Sequence, residues 1–280
     1  MDRLVRDAGG TITLSVYNAD GVLTDAPSTP TIVVKDGAGT TVATGTSSRE
    51  SAGVYSFALT GAQIPECDLY EATWSAAPSV FVTQFEAIGG WPCSLAELRG
   101  ANTELADTTR YPAALLYAAR EVALDRVETV TRVAWSTRRA RVTLDGDGTE
   151  LLLLPHNEVQ EVLAVTVDGA TITPADCRLW DWGALAAPDN TVWTAGRRNI
   201  TVDYLHGVEY APGPIADAII ELALGAVVEY GSRIPERATS VATDVGTFRL
   251  TLPGRDGPTG IPRVDAVLDQ YGYQHKPAVG

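Results

Sequence analysis

The sequence predicts an α+β protein: an immunoglobulin-like β-sandwich over residues 1–90, then a helical domain at 91–280 carrying a β-rich insertion at 139–205. Three observations lead there. Apolar residues recur with period two through the first ninety residues, the signature of half-buried strands. After Ser94 the spacing shifts to three and four, and strand-like runs return chiefly between 139 and 205. PIADAIIELALGAVVEYG, residues 214–231, holds Asp217, Glu221 and Glu229 as its only charges, which leaves most of a helix's circumference apolar.

The elements follow in order. TITLSVY (11–17) alternates Ile12, Leu14 and Val16 with Thr11, Thr13 and Ser15, and Asn18-Ala-Asp-Gly21 supplies turn chemistry. TIVVKDGAGTTVATG (31–45) reads as two strands around an Asp36-Gly37-Ala38-Gly39 hairpin turn. VYSFALT (54–60), LYEATWS (69–75) and VFVTQFEAI (80–88) complete about six strands at the short spacing of a sandwich. Gly89-Gly90-Trp91-Pro92 reads as a linker. Ser94 and Glu97 stand in the places of a capping box, and Pro112 suits the first turn of a longer helix. Leu116, Ala119, Ala123, Val127, Val130 and Ala134 form its apolar stripe, with Glu128 and Arg132 paired on the other side. RRARVTL, ELLLLP, EVLAVTVDG and NITVDYL are the strands of the insertion. After the apolar helix, TFRLTL (247–252) reads as one more strand and Pro262 opens a final helix.

Composition bounds the function. With 45% hydrophobic and 20% charged residues, the chain is that of a folded protein with enough length for two cores. The net charge is −14, and residues 1–93 hold four basic against ten acidic side chains, so no basic footprint for nucleic acid is present. The start of the chain lacks the apolar core of a signal peptide, and no apolar run has the roughly 20 residues of a membrane span. Cys67, Cys93 and Cys177, odd in number and far apart, are read as reduced thiols.

Few motifs carry chemistry. Asp145-Gly-Asp-Gly148 lacks the distal ligands of a calcium loop and reads as a hairpin turn. His156, His206 and His275 have no metal-ligand spacing, and no phosphate-cradling or nucleophile motif occurs. The expectation is a protein without cofactor, metal or catalytic site. Arg138, Arg139 and Arg141 form a basic cluster suited either to DNA phosphate or to an acidic partner, or else a solvated strand end. Trp180 and Trp182 suit either a ligand-stacking platform or core packing, the second being the commoner use of large aromatics.

The run LLLLPHNEVQEVLAVTVDG followed by RNITVDYLHGVEYAPGPIADAIIELALGAVVEYG resembles the head–tail adaptor (connector) proteins of long-tailed double-stranded DNA bacteriophages. Val165, Val167, Asp168 and Gly169 match one strand pattern of that family. Ile200, Val202, Tyr204, His206 and Gly207 match a second, which enters a Pro-initiated apolar helix, and GIPRVDAVLDQYG is similar to the family's closing segment. The likeness covers roughly residues 94–273 and leaves the N-terminal domain outside it. It implies a non-enzymatic virion protein, commonly twelve copies forming a ring in the phage neck below the portal and above the tail. The partners implied are the portal protein, a tail-side neck or stopper protein, and double-stranded DNA passing through without specific binding. No membrane is implied, and the host cytoplasm is the place of assembly. Leu222, Leu224 and Val228 are then expected in the bundle or at a subunit contact, and the C-terminal arm, 272–280 with His275 and Lys276, either at the portal or as a frayed terminus. The rival reading is a cell-surface or carbohydrate-binding module built on β domains.

Overall fold

The computed structural model describes residues 2–180, 182–229, 240–243, 246–249 and 257–272. Among these, 39% lie in strands and 26% in helices, with four α-helices. This corrects the expected fold class: the chain is mostly β, not a sandwich followed by a helical domain with a β insertion. The reason lies in the packing of residues 139–205. They bury their apolar residues against one another and, with the first ninety residues, form one compact unit, Met1–Gly90 with Ser136–Glu209; the second unit is Trp91–Trp135 with Tyr210–Gly280.

The larger unit has two cores. Around the first, strands β1 (Asp2–Val5), β2 (Gly10–Ser15), β3 (Thr31–Lys35), β4 (Thr41–Thr46), β5 (Ser48–Ser51), β6 (Val54–Leu59), β7 (Asp68–Ala76) and β8 (Ser79–Ile88) form two sheets, ordered β1-β8-β7-β3-β4 and β2-β6-β5. Alternate residues of both sheets, among them Ile12, Leu14, Val34, Tyr55, Trp74 and Phe85, meet in one core. Each such side chain contributes ~1.5–3 kcal/mol by leaving water. Asp36 pins the β3–β4 hairpin, its Oδ1 accepting from the backbone of Ala38 at 3.0 Å and Thr40 at 2.8 Å.

The second core is enclosed by β9 (Arg138–Gly146), β10 (Leu151–Leu153), β11 (Val159–Val167), β12 (Ala170–Ile172), β13 (Arg178–Trp180), β14 (Ala184–Ala186) and β15 (Gly196–His206). They form sheets ordered β12-β11-β15-β9 and β10-β14-β13. Leu152, Val165, Leu185, Trp193, Ile200 and Tyr204 fill the space. Asp145 and Gly146 end β9 and no hairpin turn forms over Asp145–Gly148, because β9 pairs with β15 while β10 pairs with β14.

In the smaller unit, helix α1 (Leu95–Gly100) carries the full capping box: the Glu97 N–H donates to Ser94 Oγ at 3.1 Å and Ser94 N–H to Glu97 Oε2 at 2.7 Å. Helix α2 (Ala113–Thr131) starts after Pro112 and buries Leu116, Ala119, Ala123 and Val127. It stops at Arg132, which takes the left-handed conformation at φ 56°, so Ala134 falls outside the helix and Val130 is half-buried. Glu128 accepts from the Trp135 N–H at 3.0 Å. Helix α3 (Gly213–Glu229) packs on α2, and α4 (Pro262–Tyr271) packs on both. A short antiparallel pair, β16 (Ser240–Thr243) and β17 (Gly246–Arg249), covers the start of the TFRLTL run; its remainder lies outside the described residues.

Candidate functional site

The three arginines singled out in the sequence all lie on β9, opposite β15, where Arg141 faces Asp203 and Arg138 faces His206. Ala140, Val142 and Leu144 turn to the core, so Arg139 and Arg141 share the other face. There both converge on Asp203, whose side chain is 7% exposed. Arg139 donates through Nε and Nη2 at 2.8 Å each, and Arg141 through Nε at 3.1 Å and Nη2 at 2.7 Å. Arg139 Nη1 lies 3.3 Å from both Glu66 and Asp68, and Arg141 Nη1 donates to the Gly37 carbonyl at 2.6 Å. Arg138 lies 3.7 Å from Glu86, which also pairs with Arg3 at 3.3 Å. The cluster thus meets acids of its own chain and joins the second β lobe to the sandwich. Burial pushes the Asp203 carboxyl up, but hydrogen bonds from Arg139 and Arg141 outweigh it and hold the group below its usual range. Arg139 is raised, chiefly by its hydrogen bonds to Asp203.

Beside this network sits a cluster that the sequence did not single out as a site. His156 stacks on His206, ring centroids 3.9 Å apart and 16° from parallel, and His156 Nδ1 lies 2.6 Å from the Tyr204 hydroxyl. Tyr204 and His206 are two apart on β15 and therefore share a face; His156 comes from the segment before β11. Burial first, then electrostatic repulsion from a proton on His156 and from Arg138, pushes His206 down to about 3. Burial also lowers His156, with Arg138 adding to the effect, and raises Tyr204. The two rings are held neutral, as part of the β9–β15–β11 packing. The two-residue spacing in YLHG was the readable part of this signal; the third member arrives only through the fold.

In the smaller unit, α3 buries Ile215, Ala218, Ile219, Ala223 and Val227. Leu222 and Leu224 are half-buried; Val228 lies in the helix, with its side chain outside the described residues. Ile220 and Leu224, with Val264 and Val267 of α4, line an open groove of about 610 Å³. Asp217, Glu221 and Arg263 stand along it, and Arg263 Nε donates to Glu221 at 3.0 Å. His275, Lys276 and the segment after Gly272 lie outside the described residues.

A second basic side chain of this unit, missed in the sequence, is Arg120, 4% exposed on α2. Its guanidinium lies 3.9 Å from the Trp91 ring centroid and 5.2 Å from that of Tyr117, and it donates to the Cys93 carbonyl at 3.0 Å. Burial lowers its pKa. It fastens the segment before α1 to α2. Among the described residues, no group of three or more His, Cys, Asp or Glu gathers where a metal could sit, and no helix is long and apolar enough to cross a membrane. No family model matches the chain, and no curated protein matches it.

Proposed function

We propose that this chain is a non-enzymatic virion protein, a subunit of a ring in a bacteriophage neck that joins the portal to the tail and passes DNA. The observation carrying this reading is α3. Its buried side already packs on α2 and α4, yet Ile220 and Leu224 keep apolar surface at an open groove and Leu222 is also only half-buried. A second subunit covering that surface gains ~1.5–3 kcal/mol for each large side chain buried. The order of β15 leading into a Pro-containing apolar helix, on which the likeness to adaptors rests, supports the same reading. So does the use of Arg138, Arg139 and Arg141 on internal acids, which suits DNA that slides past and is not held. His275 and Lys276 are assigned to the portal contact on the resemblance alone.

The test is complementation of the phage with Leu222→Asp and Leu224→Asp. Both put a carboxylate in place of a half-buried apolar side chain. Heads filled with DNA but lacking tails are the expected product. Normal yields of tailed particles from both variants would remove α3 from the subunit contact.

A further inference from the structure

Two exposed apolar features of the larger unit, one on each core, are unlike in shape and opposite in charge. The first is a loop tip on the sandwich. Tyr17, Val22 and Leu23 are 60%, 59% and 40% exposed. Tyr17 and Leu23 form an isolated antiparallel bridge, and Asn18 Oδ1 accepts from the N–H groups of Asp20 at 3.0 Å and Val22 at 2.9 Å. The tip therefore holds its shape before meeting a partner, which lowers the ordering cost of binding. It presents one carboxylate, Asp20, which has no cationic partner among the described residues.

The second feature is the outer face of the sheet β10-β14-β13. Leu152, Leu179 and Leu185 point into the core, so the alternate residues face away from it. Of these, Leu151 is 39% and Leu153 64% exposed, and Trp182, just past β13, is 47% exposed. Arg178 shares this face and lies 4.9 Å from the Trp180 ring centroid, with no carboxylate partner among the described residues. Tryptophan and arginine among aliphatic neighbours is the composition of a protein interface core.

We propose that these features meet between copies of this chain: the loop at 17–23 of one copy seats on the β10-β14-β13 face of the next, with Asp20 against Arg178. Charge selects the occupant. At −14 the chain repels most of its own surface and repels nucleic acid, whereas this pairing brings a lone carboxylate to a lone guanidinium. A sugar stacked on Trp182 would leave Leu151 and Leu153 uncovered. Because the two surfaces differ, the contact is heterologous and propagates from copy to copy, closing a ring where the rotation allows. The contact adds to the α3 surface and stands independently of it.

The experiment is sedimentation velocity on the full chain with Val22→Asp and Leu153→Asp, singly and mixed, and with Asp20→Arg, Arg178→Asp and the two combined. All four positions are exposed, and circular dichroism checks that each variant keeps its strands. Each single variant is expected to need at least about tenfold more protein to associate, the scale of one interface anchor. Mixing Val22→Asp with Leu153→Asp restores one-to-one pairs, since each copy keeps one intact surface, and the combined charge reversal recovers most of the lost association. Unchanged association of the single variants, or no recovery in either rescue, overturns the contact. So does retention of a neutral β-glucan by the wild type and not by Trp182→Ala, without any association of copies. If the loop and sheet variants assemble normally while Leu224→Asp does not, this contact falls and the neck reading stands.

Discussion

Asp203 balances two guanidinium groups on one buried carboxylate. Replacing it by Ala removes the carboxylate that Arg139 and Arg141 share and leaves Arg139 only Glu66 and Asp68; about 3 kcal/mol of stability is expected to be lost, measured by urea denaturation of the full chain. The histidine stack gives a pH dependence of definite sign. His206 titrates at about 3 in the folded chain against 6.5 when unperturbed, so below pH 6.5 the unfolded chain binds more protons. Its contribution is complete above pH 6.5 and is lost as pH falls towards 3. By pH 5 the loss from this one group approaches about 2 kcal/mol. Thermal melts at pH 7.5 and 5 are expected to separate in the wild type and to draw together in His206→Phe. Equal separation in both would place the acid sensitivity elsewhere.

Helix α2 ends on a residue that dislikes the conformation it holds. Arg132 is left-handed at φ 56°, where glycine is at ease. Arg132→Gly is expected to stabilise the chain by about 1 kcal/mol, read from the urea midpoint. A lower midpoint would mean that the arginine side chain contributes more than its backbone costs. The signals that were legible in the sequence are of this local kind: the Ser94–Glu97 box, Pro112 before α2, and the Asp36 turn between β3 and β4. What was not legible is which strand joins which sheet. Period two identifies β9 to β15 as strands but says nothing of their neighbours, and so the sequence alone places 139–205 within the helical part. Likewise Asp2–Val5 becomes a strand only because it runs parallel to β8, with Asp2 opposite Phe85. Asp203 was unreadable as a site for the same reason: its partners lie 62 and 64 positions away.

At the scale of the molecule, the balance of −14 and the engagement of the β9 arginines lead to a further expectation about DNA. The full chain should show no binding to duplex DNA by fluorescence anisotropy at physiological salt. Sub-micromolar affinity that falls steeply with salt would contradict the picture of a passage and turn the arginine strand into a binding site. The proposed ring of copies of this chain is tested most directly by weighing what the purified chain forms. Mass photometry with negative-stain electron microscopy of the full chain is expected to show closed rings of uniform mass, lost in Leu222→Asp and Leu224→Asp. A wild-type chain that stays monomeric at every concentration reached, with particles no different from those of the two variants, would contradict it.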